Sequence, residues 1–329
     1  MSVSPITLNK ELCCLLCNTY KINHRMNMMN FNLSRLRYLY EVIQCGSMRA
    51  ASEKMNVAPS SVSRQVAILE EELGVEMLER GRGKARLTEA GELAVKYYRE
   101  DLTHKERLAS HLDDVRGIKR GTVKISIGEG FVNDLLSDAM EAFMTKYPEI
   151  LIEVQVAGTN RVLTLVEEDD VHIGMVFNCP PLPRISVQQM YSLPLKAVMA
   201  PTNPLASKKN ISLKDLSAAK CALPQKNFRI REVMDQAAHN EKVILNPVLT
   251  SNSMLILKNM AMTSNGVTVL PDMAILRELK SGQLVSIPIK SESLSSTSAG
   301  IVTRLGRLLP VSAQEFMKYL QSYFNNELK

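Results

Sequence analysis

A chain of 329 residues with 45% apolar composition is too long for one ordinary core and predicts two or three globular domains. Its net charge of +6 favours a polyanion partner only where the cations cluster. Apolar stretches such as "NPVLT" and "GVTVLP" fall far short of the roughly 18 residues a membrane span needs, so no transmembrane helix and a cytoplasmic location are expected.

Residues 1–28 show neither a helical nor a strand period. They are expected to be a disordered extension or a mis-assigned start, with Met26, Met28 and Met29 as alternative starts. "LCCLLC" (12–17) is too short, and lacks the cleavage site, for a secretory signal. Cys14 and Cys17 have metal-ligand spacing, but a structural zinc site takes four ligands and only Cys13 and His24 lie nearby, so no metal is expected. Cys45, Cys179 and Cys221 are scattered singly, the pattern of reduced thiols.

Residues 29–88 form the first predicted domain. "SMRAASEKM" (47–55) reads as a short helix, Asn56 tolerates a left-handed turn, and a second helix runs from Pro59 to Gly74. On that helix Val62, Val66, Leu69 and Leu73 share one face, with Ser60, Arg64, Ala67 and Ile68 opposite. Helix, short turn, helix is a motif whose second helix puts its N-terminal turns into the DNA major groove. Ser60, Ser61, Ser63, Arg64 and Gln65 would meet base edges and phosphates there, while Glu70, Glu71 and Glu72 are kept beyond the groove. "ERGRGKARLTEAGE" (79–92) sets Arg80, Arg82, Lys84 and Arg86 at alternate positions, which fits a small β-hairpin wing with cations toward a phosphate backbone. Ser47, Arg49 and Pro59 complete the candidate contacts. Taken singly, each feature also fits a solvated helix face or a basic turn; in this order and spacing they point to a double-stranded DNA operator.

The stretch 46–92 closely resembles the N-terminal signature of LysR-type transcriptional regulators, and the likeness continues along the chain from about residue 30. It rests on the Ala50-Ala51 pair, Ser63-Arg64-Gln65, "LEEELGV" (69–75), Glu79-Arg80 and "RLTEAGE" (86–92). Ala58-Pro59-Ser60 departs from the Ser-Gln-Pro common in the family, so the Gln able to read adenine is absent, and Met77-Leu78 replaces Leu-Phe. The resemblance implies a winged helix-turn-helix, a long linker helix and a two-lobed α/β effector domain, with RNA polymerase as a further candidate partner.

From Glu89 to Arg116 there is no Pro and one interior glycine, Gly91, so a helix of about seven turns is allowed, and 89–117 is the expected linker. Tyr98, Leu102, Leu108, Leu112 and Val115 make a heptad stripe broken by Asp101 and Lys105. Packing on its own domain would satisfy the stripe; the resemblance implies pairing with a second copy, in a homodimer or homotetramer. His104 and His111 are expected to be solvated surface residues.

After residue 121 strands and helices alternate. Strands are expected at 122–128, 151–158 and 171–177, with helices at 131–148 and 159–169 between them, a βαβαβ unit on a parallel sheet. A second unit follows: strand 221–224, helix 228–240, strand 247–251, helix 253–264, strand 266–271 and helix 272–280. Strand 298–304 and helix 312–325 return to the first. The expected lobes are 121–199 with 294–329, and 200–293, an arrangement similar to type 2 periplasmic binding proteins, which in this family serves as the effector module. Ligands of open α/β sheets sit at strand carboxyl ends. The candidate effector residues are therefore Glu129, Gly130, Phe131, Thr159, Asn160 and Asn178 in the first lobe, with Gln225, Asn227, Phe228, Ser251, Asn252 and Ser253 in the second. Each Ser, Thr or Asn there also fits a plain helix cap. Helix N-termini with Lys226 and Arg229 nearby favour an anionic effector; Glu129 argues the other way. His172, where the family often has an acid, is expected to be structural.

An enzyme is the main rival, but the chain has no Gly-x-Ser-x-Gly elbow, phosphate loop, paired His ligands or dinucleotide fingerprint, and no cofactor is expected. A thiol switch through Cys179 and Cys221 is a further alternative, with the two cysteines in different predicted lobes.

Overall fold

Asn32 opens the first helix, α1 (Leu33–Cys45), by accepting the Ser34 N–H, and Gly46 ends it in the left-handed conformation at φ 75°. The computed structural model describes residues 32–327 apart from 80, 82–83, 117–118 and 133, so the expectations for residues 1–28 lie outside the described residues. Helix α1 has no counterpart among the expected elements, although Leu36, Leu39 and Val42 recur at three residues and are all buried. The next helix, α2 (Met48–Met55), is capped by Ser47 Oγ on Ala50 N–H and closed by Asn56 at φ 54°. Asn is one of the few side chains that occupy that region cheaply. Pro59 then starts α3 (Pro59–Leu73), and Gly74 ends it.

Val62 packs with Val42 and Ala51, while Val66 and Leu69 pack with Leu36, Leu39, Met77, Val95 and Tyr98. The expected apolar stripe therefore builds the core of this unit. Leu78 and Leu87 form an isolated antiparallel bridge, extended by Glu79 N–H to Arg86 O at 2.9 Å, which is the base of the predicted hairpin. The linker is one helix, α4 (Glu89–Val115), and the chain divides into two compact units between His104 and Lys105.

The second unit runs β1 (Gly121–Ile127), α5 (Asp134–Lys146), β2 (Ile150–Val156), α6 (Thr159–Glu167), β3 (Ile173–Phe177) and β4 (Ile185–Ser192). It continues with β5 (Leu195–Met199), α7 (Leu213–Ala218), β6 (Lys220–Pro224), α8 (Arg229–Asn240), β7 (Leu249–Ser251), α9 (Met254–Ala261) and β8 (Gly266–Pro271). Then come α10 (Leu276–Lys280), β9 (Val285–Pro288), α11 (Glu292–Ser295), β10 (Ser298–Arg304) and α12 (Val311–Glu327). One sheet has the order β2-β1-β3-β10-β4 and the other β7-β6-β8-β5-β9. In both, the first three strands are parallel, and the fourth, β10 or β5, runs antiparallel to its two neighbours.

Strand β5 pairs with β8 and β9, so the second lobe begins near Leu195 and not at residue 200 as the sequence reading places it. The two crossovers lie side by side: Leu193 N–H donates to Thr297 O at 2.8 Å and Thr297 Oγ1 to Leu193 O at 2.7 Å. Buried Phe143 on α5 meets Phe316 on α12 edge-on at 5.0 Å, fixing both helices to the first sheet.

Candidate functional site

The first turns of α3 lie open at the surface. Ala58 supplies no side-chain cap, and no acid lies in the first turn. Pro59 has no N–H and the Ser61 N–H turns back to Ala58 O at 2.9 Å, so the Ser60 N–H at the positive end of the helix is left to another acceptor. Pro59, Ser60, Ser61, Ser63 and Arg64 are exposed, and Arg64 has no ion pair among the described residues. Gln65 differs from expectation: it is half-buried, and its Oε1 accepts Arg35 Nε at 3.2 Å. Ser47 spends its Oγ on the α2 cap, and Arg49 is exposed beside Glu53 at 3.3 Å. Lys84 and Arg86 are exposed on the hairpin, whereas Arg80 and Arg82 lie outside the described residues.

Two of the three glutamates have internal work. Glu70 accepts the Met77 and Leu78 N–H groups at 2.8 and 3.3 Å, and Glu72 pairs with Arg35. Only Glu71 is exposed. The charge asymmetry of the helix thus has a folding cause at its far end.

The second site is the cleft between the lobes. Of the expected effector residues, Glu129, Gly130, Phe131, Thr159 and Phe228 line it. Asn160, Gln225, Asn227 and Asn252 are exposed and do not, because polar side chains at these loop tips turn to solvent. Ser251 and Ser253 serve each other, Ser251 Oγ accepting Ser253 N–H at 3.0 Å, and neither lines the cleft. Asn178, in the left-handed region at φ 45°, contributes its carbonyl, which accepts Arg229 Nε at 3.1 Å across the cleft. The walls that the sequence reading missed are apolar: Phe177, Leu193, Ile230, Met254, Pro271 and Met273. A search for polar helix starts passes over such residues; buried strand ends would have found several.

Glu129 makes the other crossing contact, its Oε1 accepting the Met254 N–H at 2.9 Å at the start of α9. A carboxylate of the first lobe thus occupies the helix N-terminus of the second. With both bridges made, the enclosed space is about 40 Å³, room for a few waters.

Among the described residues no group of three or more His, Cys, Asp and Glu side chains is placed to hold a metal ion, and no helix is long and apolar enough to cross a membrane. His104 and His111 are exposed, and His111 accepts Arg107 Nε at 3.4 Å.

Known proteins place these two units. Residues 33–92 match the profile of the bacterial regulatory helix-turn-helix protein, LysR family, and residues 116–325 match that of the LysR substrate binding domain. The chain belongs to the LysR family of transcriptional regulators. A probable RuBisCO transcriptional regulator of Cyanidioschyzon merolae is 26% identical over 275 residues, covering 82% of this chain and 91% of that one. Among solved structures, a full-length OxyR variant from Pseudomonas aeruginosa is similar with TM-score 0.65 at 17% identity, covering 90% of this chain and 95% of that one. Full-length CbnR complexed with its target DNA is similar with TM-score 0.56 at 18% identity, covering 89% and 100%. As a LysR-type regulator the chain carries a DNA-binding and an effector-binding domain, and is a regulator rather than an enzyme.

Proposed function

We propose that this regulator reads its operator with Ser60, Ser61, Ser63 and Arg64, holds the flanking phosphates with the hairpin cations, and responds to a small molecule that enters the interlobe cleft. The observation that carries the reading is the acid-free, uncapped and exposed start of α3 in a helix-turn-helix whose apolar face is fully used in its core. It acts in the cytoplasm as a homodimer or homotetramer, with RNA polymerase as a partner at the promoter. Support for pairing comes from α4, where Leu93, Leu108, Leu112 and Val115 are exposed at 64%, 62%, 50% and 86%.

The effector has an apolar body and no carboxylate of its own. The apolar walls support the first half of that statement, and Glu129 on the α9 N-terminus supports the second, because an acid would have to displace it. This replaces the anionic preference drawn from the helix N-termini with Lys226 and Arg229 nearby. Effector entry separates the lobes at the Glu129 and Arg229 bridges, and the two arrangements bias the spacing of paired reading heads.

The test is operator binding by Arg64→Ala. The expected loss is about 1–3 kcal/mol on the specific site, with little change on unrelated DNA. Unchanged operator affinity would take Arg64 off the contact surface and sink the assignment of the reading face.

A further inference from the structure

A second cavity of the second unit lies apart from the interlobe cleft. It measures about 240 Å³ and lies where the end of α4, the start of β1 and the N-terminus of α12 meet, lined by Ser110, Lys119, Arg120, Tyr147, Ser312 and Glu315 among others. None of these belongs to the reading head or the effector cleft.

Its donors converge, and the one carboxylate that lines it, Glu315, is already engaged by Tyr147 and Lys318. The first internal bond of α12 runs from Gln314 N–H to Pro310 O, so the Ser312 and Ala313 N–H groups stand ahead of the helix ladder. Val311 N–H donates to Ser110 Oγ at 3.1 Å, which leaves the Ser110 proton free to donate onward. Ser312 is 5% exposed, yet its hydroxyl has no hydrogen-bond partner among the described residues and is not a sealed atom; it opens onto the cavity it lines. A hydroxyl that faces a cavity without a protein partner offers a donor to whatever occupies it.

The charges agree. Asp113 is held by Arg120 at 3.0 Å, and Glu315 takes the Tyr147 hydroxyl at 3.2 Å and Lys318 at 2.5 Å. Asp113 and Glu315 therefore already have cations. Lys119 lies over the Tyr147 ring at 5.3 Å with no ion-pair carboxylate among the described residues, and Lys146 lies over the Tyr147 and Tyr319 rings at 5.4 and 5.6 Å. Two hydroxyls, two helix-start N–H groups and an ammonium on the rim suit an anion with several acceptor oxygens in three dimensions. We propose that this cavity is a second ligand site, for a small phosphate-bearing molecule whose tetrahedral oxyanion sits between Ser110, Ser312, the α12 N-terminus and Lys119. Because Ser110 belongs to the linker helix and Ser312 to the sensor, a ligand here ties the root of the linker to the first lobe. Such an input is separate from the interlobe effector and stands whether or not that reading holds.

The experiment is calorimetric titration of the full chain with inorganic phosphate at constant ionic strength, with acetate as a planar control. One saturable phosphate per chain is expected below about 10 mM, weakened about tenfold by Ser312→Ala and by the exposed-site variant Lys119→Glu, and unchanged by Thr159→Ala in the cleft. Thermal melts establish that each variant folds, and Lys119→Glu carries the test if Ser312→Ala does not. Three results overturn the proposal: no saturable binding beyond the chloride background, acetate bound equally well, or binding that survives Lys119→Glu but is lost in Arg64→Ala, which would place the phosphate on the reading head.

Discussion

His172 Nε2 and Glu106 Oε1 lie 3.1 Å apart, and a backbone amide decides which nitrogen faces the acid: Lys124 N–H donates to Nδ1 at 3.1 Å. The ring proton therefore sits on Nε2 and points at Glu106. Arg307 approaches the other Glu106 oxygen at 3.6 Å and reaches Asp169 at 3.0 Å. Glu106 is a residue of the linker helix, and His172, Arg307 and Asp169 belong to the first lobe. The sensor thus grips the linker through one carboxylate, with a buried histidine in the grip.

That grip has a pH signature. Burial, the largest single influence, pushes the Glu106 carboxyl up, but the His172 hydrogen bond and the charges of Arg307 and Lys124 outweigh it and hold the group below its ordinary 4.5. A depressed acid contributes stability that is fully present above the ordinary value and fades as pH falls through the folded one. Glu106→Gln should cost on the order of 1 kcal/mol near pH 7, a size limited by screening of a partly exposed side chain. The difference from the parent should shrink below about pH 4.5. Urea midpoints of both proteins across that range check it; a constant gap at all pH values would mean that the carboxylate charge plays no part.

Gly91 is the one interior glycine of the linker, where alanine would ordinarily add about 1 kcal/mol of helix propensity. Here a Cβ would lie 2.1 Å from Met77 O and 2.9 Å from Leu87 Cδ2. Met77 O also accepts the Thr88 N–H at 3.0 Å, so it has no room to withdraw. The clash outweighs propensity, and Gly91→Ala should destabilise the reading head by about 2 kcal/mol net. A melting curve that rises instead would show that the hairpin yields easily.

How far such detail can be read beforehand depends on the signal each residue leaves. Strands β8 and β10 fall on the expected spans 266–271 and 298–304 because fully apolar or alternating runs bounded by Pro, Ser or Gly declare themselves. Strands β4, β5 and β9 were invisible for separate reasons. Strand β4 is an edge whose Gln188 and Gln189 dilute the period, and β5 and β9 are short and take their place from antiparallel partners far along the chain. On α3 the stripe Val62, Val66, Leu69 and Leu73 was legible because helical spacing is local. The Glu129 bridge was not, since its partner is a backbone amide 125 residues away that no side-chain pattern encodes. The cleft walls escaped for the same reason: apolar strand ends look alike whether they meet a ligand or a core.

The cysteines give a third test. Burial pushes the Cys221 thiol up to about 11, and it pushes Cys179 up as well, with Arg229 pulling the other way. Cys221 lies in β6 of the second lobe, where its Sγ reaches Leu216 O at 3.0 Å, and Cys179 follows β3 of the first. Thiols held protonated are poor nucleophiles. Native protein treated with an alkylating reagent should leave Cys221 unmodified by mass spectrometry until denaturant is added. Rapid peroxide-driven pairing of Cys179 with Cys221 would reinstate the thiol switch.

Glu129 offers the most direct view of lobe closure. Its carboxylate accepts the Met254 N–H at 2.9 Å, so this amide is protected only while the lobes are together. Glu129→Gln keeps an acceptor of the same shape but removes the charge facing the α9 N-terminus, worth about 1 kcal/mol in a partly buried place. The closed arrangement should lose population accordingly, and Met254 should exchange its amide hydrogen about fivefold faster, a ratio set by that energy. Amides of β8, buried in the second sheet, should not change, which separates local opening from general destabilisation. Equal acceleration at Met254 and in β8 would mean that the variant loosens the whole lobe, and no change at either would mean that Arg229 and the apolar walls close the cleft without Glu129.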